Sequence, residues 1–157
     1  MTVDTKLASL PADVGELRDG DLALELERIA AADEERGRSP AYHFALHVSH
    51  AAAPVGHLRL RVGHTRDLEY YIGHIGYDVA PAYRGHHFAE RACRLVVPLA
   101  RRVGLAVLWI TCDPDNAPSR RTCERLGAEL VEIVDVPTDH VLYVTGHPRK
   151  CRYRWAT

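Results

Sequence analysis

The sequence predicts an α/β (α+β) fold: a mixed, mostly antiparallel sheet of about six or seven strands flanked by three or four helices. Three observations lead there. Tyr42 to Ser49 and Val55 to Val62 alternate apolar and polar residues, the period of half-buried strands, with only a short connection at Ala53-Pro54 between them. Phe88, Ala92, Leu95, Leu99 and Val103 share one face at helical spacing. Leu105 to Ile110 is unbroken apolar, as in a central strand covered on both faces. At 157 residues the chain suits a single domain, residues 1–157, with room for a substantial core.

Taken in order, Leu22, Leu26, Ile29 and Ala30 follow Asp19-Gly20-Asp21 at helical spacing and predict a helix, which Gly37-Arg38-Ser39-Pro40 ends. In the second strand of the following pair, Leu58, Leu60 and Val62 face inward, with His57, Arg59 and Arg61 outward. Gly63 to Glu69 is a polar connection. Tyr70 to Val79 reads as a strand, and Gly73 and Gly76 within it suggest a bulge or a close backbone approach. Pro98 should kink or interrupt the helix that begins near Phe88. After the central strand, Ser119, Thr122, Cys123 and Leu126 line one side of a short helix that stops at Gly127. Glu129 to Val136, His140 to Thr145 and Lys150 to Trp155 complete the sheet, with turns near Pro137 and Gly146-His147-Pro148.

A formal net charge of −1, with Lys6 and Lys150 the only lysines, gives no electrostatic case for nucleic acid or an anionic membrane. No apolar run is long enough to span a bilayer, and Met1 to Leu10 lacks the basic start and apolar middle of a secretory signal, so a cytoplasmic protein is expected. Cys93, Cys112, Cys123 and Cys151 lack paired zinc-site spacing and read as reduced thiols. His43 and His47 have the spacing of a helical metal pair, but their segment alternates as a strand. Residues four apart in a strand are separated by roughly 13 Å, so no metal is expected.

Two segments carry chemistry. Pro81-Ala82-Tyr83-Arg84-Gly85-His86-His87-Phe88-Ala89 is a tight turn opening a helix, and the first amides of a helix lack internal acceptors and carry positive potential, which suits a phosphate. About one strand and one helix later, Asn116-Ala117-Pro118-Ser119 begins another helix with Asn at the cap, followed by Cys123-Glu124-Arg125-Leu126-Gly127. The pair resembles the GCN5-related N-acetyltransferase (GNAT) superfamily, and within it a bacterial group of predicted acetyltransferases. That family's coenzyme loop reads Arg or Gln, two residues, Gly, one residue, then Gly or Ala. Arg84 and Ala89 match, while His87 stands where Gly is usual, at a position expected to need φ > 0 or a close phosphate. The resemblance covers roughly Val55 to Trp155.

The resemblance implies a sheet splayed near its middle to admit acetyl-coenzyme A as cosubstrate. Arg84, Gly85, His86, His87, Phe88 and Ala89 would hold the pyrophosphate, Asn116 and Ser119 the pantetheine and adenylate regions, and backbone amides of Tyr77, Asp78 and Val79 the thioester carbonyl. For the general base the first candidate is His74, where relatives often carry a carboxylate, with Glu69 and Asp67 as alternatives acting through water; Asp78 shares strand parity with His74 and would orient it. Relatives often place a Tyr general acid seven residues after this Asn, where Cys123 stands here; core packing is the favoured reading of Cys123, and Tyr143 or Tyr153 would replace the acid.

The implied reaction is acetyl transfer to a small-molecule amine or peptide amine by direct attack in a ternary complex. A non-catalytic coenzyme A-binding or sensing module of the same fold, and a structural domain, are the competing readings. Arg149, Lys150, Arg152 and Arg154 make the last strand basic, as edge strands often are. Monomer and homodimer both remain open.

Overall fold

The computed structural model describes residues 10–157. The segment read as lacking a secretory signal lies almost wholly outside the described residues, as does Lys6. A five-stranded sheet runs in the order β1 (Arg18–Asp19), β2 (Leu22–Ala30), β3 (Ala41–Val48), β4 (Gly56–Arg61), β5 (Ile75–Val79). A three-stranded sheet places β8 (Arg149–Ala156) between β6 (Val107–Cys112) and β7 (Glu129–Asp135). Every hydrogen-bonded strand pair is antiparallel. The helices are α1 (Phe88–Leu95), α2 (Val97–Arg102), α3 (Ala117–Leu126) and the single turn α4 (Val141–Val144). Among the described residues no helix is long and apolar enough to cross a membrane.

Residues 22–30 form a strand, not the expected helix, and a bulge explains the disguise. Leu22, Leu24 and Leu26 pair with Val48, Leu46 and Phe44 on the core face; the register then slips between Leu26 and Arg28, so that Ile29 meets Tyr42 on the same face. An extra residue in a strand resets its parity, and the resulting spacing of 22, 26 and 29 imitates a helical stripe. Gly37-Arg38 accordingly closes a hairpin rather than a helix: Asp33 and Arg38 exchange backbone hydrogen bonds of 2.9 and 2.8 Å.

The strand expected from Tyr70 is shorter, because Leu68–Ile72 winds into one π-helical turn that ends at Gly73, φ 81°. His140 to Thr145 is helical rather than extended. His140 caps α4 by accepting the Leu142 N–H at its Nδ1, which turns the chain before any ladder forms. Pro98 breaks the long helix as expected, and sits comfortably in the first turn of α2, where no intrahelical N–H bond is required.

Tyr42, Phe44, Leu46, Leu58, Leu60 and Ile75 bury one face of the larger sheet against α1 and α2, which contribute Phe88, Ala92, Cys93 and Leu99. Leu108, Ile110, Tyr153 and Trp155 continue this core on the smaller sheet. Local signals define α3 cleanly. Asn116 Oδ1 accepts the Ser119 N–H at 3.2 Å, and Gly127, φ 80°, lets Ala128 and Gly127 donate to the carbonyls of Cys123 and Glu124. Both ends of the helix therefore have their orphan groups satisfied.

Gly73 packs hard against the backbone of β6: a Cβ placed there would lie 3.1 Å from both the Thr111 nitrogen and the Trp109 oxygen. With a left-handed φ in addition, Gly73→Ala should destabilise the fold by roughly 1–3 kcal/mol. Urea denaturation checks this; a midpoint equal to that of the wild type would contradict it.

Candidate functional site

The two sheets are joined at one place and part beyond it. The His74 N–H donates to the Trp109 carbonyl at 2.7 Å, and the Trp109 N–H donates back to His74 Nδ1 at 2.9 Å. An imidazole thus stands where a strand carbonyl would complete the ladder. Because Nδ1 accepts, Nε2 carries the hydrogen, and it donates to the Gly63 carbonyl at 2.9 Å. Thr111 Oγ1 adds a bond to the Tyr71 carbonyl at 2.8 Å. Past this junction β5 and β6 diverge around a cleft of about 890 Å³.

One edge of β5 faces that cleft with its backbone. Arg61 donates its N–H to the His74 carbonyl and Ala80 donates to the Val55 carbonyl, so even-numbered residues of β5 bond to β4. By antiparallel alternation the peptide groups of Ile75, Tyr77 and Val79 turn the other way. The Val79 carbonyl is met by Arg84 Nε at 2.9 Å. Asp78, expected to orient His74, instead carries an exposed carboxylate 3.2 Å from His57 Nδ1, and its alternation position directs its backbone toward β4.

At the rim, the turn into α1 uses two left-handed residues, Gly85 at φ 86° and His87 at φ 60°, ψ 25°. His87 is the one non-glycine with positive φ among the described residues, at the position where the sequence suggested glycine. It makes no side-chain cap, so the opening amides of α1 face the rim without one. His86 packs beside Phe88, with ring centroids 5.6 Å apart. Arg121 and Arg125 of α3 line the same rim.

Across from β5, Asn116 and Ser119 lie at the mouth of α3. The Ser119 hydroxyl is 2.8 Å from the Tyr77 hydroxyl, so these two expected binding residues meet each other through their side chains. Burial pushes the Tyr77 hydroxyl well above the usual tyrosine range. Cys112 lines the cleft and is pushed up to about 11 by burial; Cys123 is fully buried and raised further by the same cause. Core packing, the favoured reading of Cys123, is what the structure shows.

Among the expected bases, His74 is 1% exposed with both ring nitrogens committed, and burial holds it below the usual histidine range against the opposing pull of the Gly63 carbonyl. This geometry removes it from acid–base work and makes it the pin between the sheets. Glu69 points to His64, its Oε1 3.4 Å from Nδ1, and does not line the cleft. Asp67 is taken by His140 Nε2 at 2.5 Å, tying the Gly63–Glu69 loop to the α4 segment. Tyr143 is exposed on α4, and Tyr153 is buried, accepting from Arg120 Nε at 3.1 Å. His64, Glu69 and His74 form the one cluster of metal-type ligands among the described residues, but His74 has no nitrogen to offer.

The basic last strand is central, not an edge. Arg152 is 4% exposed, its guanidinium 3.7 Å over the Tyr70 ring and 4.2 Å over that of Trp109. Two cleft features escaped the sequence. Arg61 donates to the Gly73 carbonyl at 3.1 Å and is pushed down to about 10 by burial and then by the charge of Arg59. Asp113, just past β6, receives His147 Nδ1 at 2.6 Å and lies 2.9 Å from the Lys150 ammonium. Its Oδ1 has that ion-pair contact without hydrogen-bond alignment. Burial raises the Asp113 carboxyl, but the adjoining Lys150 ammonium and the His147 N–H outweigh it and hold the group below the usual range.

Residues 10–129 match the family described as the acetyltransferase (GNAT) domain. No curated protein matches the sequence. Among solved structures, a ribosomal-protein-S5-alanine acetyltransferase from Vibrio fischeri superposes with a TM-score of 0.59 at 17% identity, over 74% of this chain and 61% of that one. Mycobacterium smegmatis RimJ, in complex with CoA-disulfide, gives 0.57 at 21% identity over 78% and 55%. A Vibrio cholerae protein provisionally named a ribosomal-protein-serine acetyltransferase gives 0.64 at 17% over 91% and 98%. The chain thus spans less than two thirds of the length of the first two, and at these identities the likeness is one of fold.

The His74 arrangement makes a pH prediction. A histidine whose folded pKa is depressed binds its proton more readily when unfolded, so its stabilising share is complete above the unfolded value, near 6.5, and is lost as pH falls below it. Stability should drop by up to about 1.4 kcal/mol per pH unit from this residue, and His74→Asn should flatten the slope between pH 6.5 and 5. Denaturation across that range decides; an unchanged slope in the variant would refute the assignment.

Proposed function

The chain belongs to the GNAT acetyltransferase family, and from that premise we propose that it moves the acetyl group of acetyl-coenzyme A to a primary amine by direct attack in a ternary complex. The observation that carries this reading is the cleft between β5 and β6, bordered by an uncapped helix mouth on one side and a free strand edge on another. The pyrophosphate would lie against the opening amides of α1, from Gly85 to Ala89, where helix potential favours an anion. His87 takes the backbone conformation this turn needs, so its departure from glycine is compatible with the site.

The pantetheine arm would run along β5, its amide groups matched by the Tyr77 and Val79 peptides, with the Asn116 amide and Ser119 hydroxyl opposite. A thioester carbonyl seated at one of those N–H groups would gain most when it becomes a tetrahedral oxyanion, because the donor is already oriented. Arg84, folded onto the Val79 carbonyl, would act by fixing the turn or would swing out to a phosphate.

Direct attack is favoured over an acyl-enzyme by the chemistry of the thiols. Cys112 lines the cleft and Cys123 of α3 lies in the core, and burial keeps both protonated at neutral pH. A thiol that does not ionise is a poor nucleophile. The leaving thiolate of coenzyme A departs readily enough that a general acid adds rate rather than permission.

For the acceptor we favour the α-amine of a peptide or protein beginning with a small residue. Several similar structures are named for ribosomal-protein substrates, one at alanine and one at the α-nitrogen of L7/L12. The loop from Gly63 to Glu69 and the α4 segment, tied by Asp67 and His140, would form the acceptor wall.

Acetyl-coenzyme A at about a hundredfold its Kd should stabilise the fold by about 2.7 kcal/mol in a thermal-shift titration, and Asn116→Ala should weaken that binding. Peptides beginning with Ala or Ser should then release coenzyme A with stoichiometric acetylation. Binding without transfer across that panel and a panel of small amines would leave only a coenzyme-binding module.

A further inference from the structure

We propose that His147, oriented by Asp113, is the general base that takes the proton from the acceptor amine; this rests on the acetyl-transfer reading above. His147 lines the cleft, and its side chain is 40% exposed, so it is reachable by a ligand without being loose on the surface. Its backbone is fixed at the close of α4, where its N–H donates to the Leu142 carbonyl at 2.7 Å after Gly146 at φ 98°.

The ring is fixed as well. Nδ1 lies 2.6 Å from Asp113 Oδ2, and a carboxylate held ionised can only accept, so Nδ1 carries the hydrogen. The lone pair is therefore on Nε2, for which no protein partner exists among the described residues. His87, the other histidine lining the cleft, stands in the turn into α1 with its Nδ1 4.0 Å from Glu90 Oε2 and makes no side-chain cap. Outside the lining, His74 is committed on both nitrogens, and His140 spends Nδ1 on Leu142 and Nε2 on Asp67. His147 alone of these combines a ring oriented by a hydrogen-bonded carboxylate with a free basic nitrogen.

The charged groups in and around the pair come from four elements. Asp113 follows β6, and Lys150 approaches it from β8, its side chain only 11% exposed. Arg61 of β4 and Arg121 and Arg125 of α3 line the same cleft. Lys150 keeps Asp113 ionised, and Asp113 in turn stabilises the imidazolium that forms when Nε2 takes a proton.

The step balances. The amine nitrogen forms its bond to the thioester carbon as an N–H proton passes to His147 Nε2; the tetrahedral intermediate then collapses, and the C–S electron pair leaves on sulfur. The imidazolium returns the proton to the thiolate or to water, giving amide and coenzyme A. Asp113 acts through His147 and is a positioning residue.

The test uses acetyl-coenzyme A with a peptide beginning with Ser or Ala, following thiol release from pH 6 to 9. His147→Gln should lower kcat by about 10²–10⁴ and abolish the ascending limb of the pH profile, while acetyl-coenzyme A affinity and melting temperature stay within error of the wild type. Asp113→Asn should lower kcat at least tenfold, and free imidazole should partly restore His147→Ala. If the wild type turns over and His147→Gln keeps its rate within twofold or retains the limb, His147 is not the base. If the wild type binds acetyl-coenzyme A but acetylates nothing, the acetyl-transfer reading falls first and takes this inference with it.

Discussion

One imidazole sets the geometry on which the rest of the protein depends. His74 enters the space between β5 and β6, gives its N–H to the Trp109 carbonyl, takes the Trp109 N–H on its ring, and spends its remaining hydrogen on Gly63. A backbone ladder would carry on to the next residue pair, whereas a side chain closes it after one. The strands are thus clamped at one end and released at the other, and the free peptide edge of β5 from Ile75 to Val79 is the direct result. An unpaired strand edge inside a fold is costly unless a ligand or water meets it. The clamp requires a neutral ring, which burial supplies.

The left-handed turn at Gly85 and His87 performs the matching task on the opposite rim. It starts α1 without a side-chain cap, so the potential of the helix is presented rather than satisfied. Of the arginines lining the cleft, Arg61 donates to the Gly73 carbonyl, Arg84 to the Val79 carbonyl, and Arg125 pairs with Glu90 at 3.5 Å. Anion recognition in the proposed site accordingly falls on backbone amides, with Arg121 at the rim. Such preorganised dipoles lose little entropy on binding compared with flexible charged side chains.

What could be read from the sequence was local. Asn116 and Gly127 bracket α3 because capping chemistry acts over three or four residues, and the alternation of Tyr42 to Val48 is a property of one strand. Pro98 broke its helix for the same kind of reason. The misread elements are those where a local pattern had two solutions. The bulge after Leu26 gave β2 the spacing of a helix, and only pairing with β3 resolves it. His140 to Thr145 carries strand-forming residues, yet the cap made by His140 and its bond to Asp67, 73 residues away, settle the segment as a helical turn. The site divides in the same way. The helix mouths are legible as motifs, whereas the clamp made by His74 is not, because its partners Gly63 and Trp109 are brought to it only by tertiary packing. His147 and Asp113 lie 34 residues apart, joined only by the packing of β6 against β8, and no spacing rule would have paired them.

In the proposed reaction the gap opened by His74 receives the acyl thioester along the free edge of β5. A crystal structure with acetyl-coenzyme A or a non-hydrolysable analogue tests it most directly. The account predicts the diphosphate against the amides between Gly85 and Ala89, and the thioester carbonyl within about 3 Å of a β5 peptide N–H from Tyr77 or Val79. A ligand bound elsewhere, or one in the cleft whose carbonyl meets no β5 amide, would contradict it.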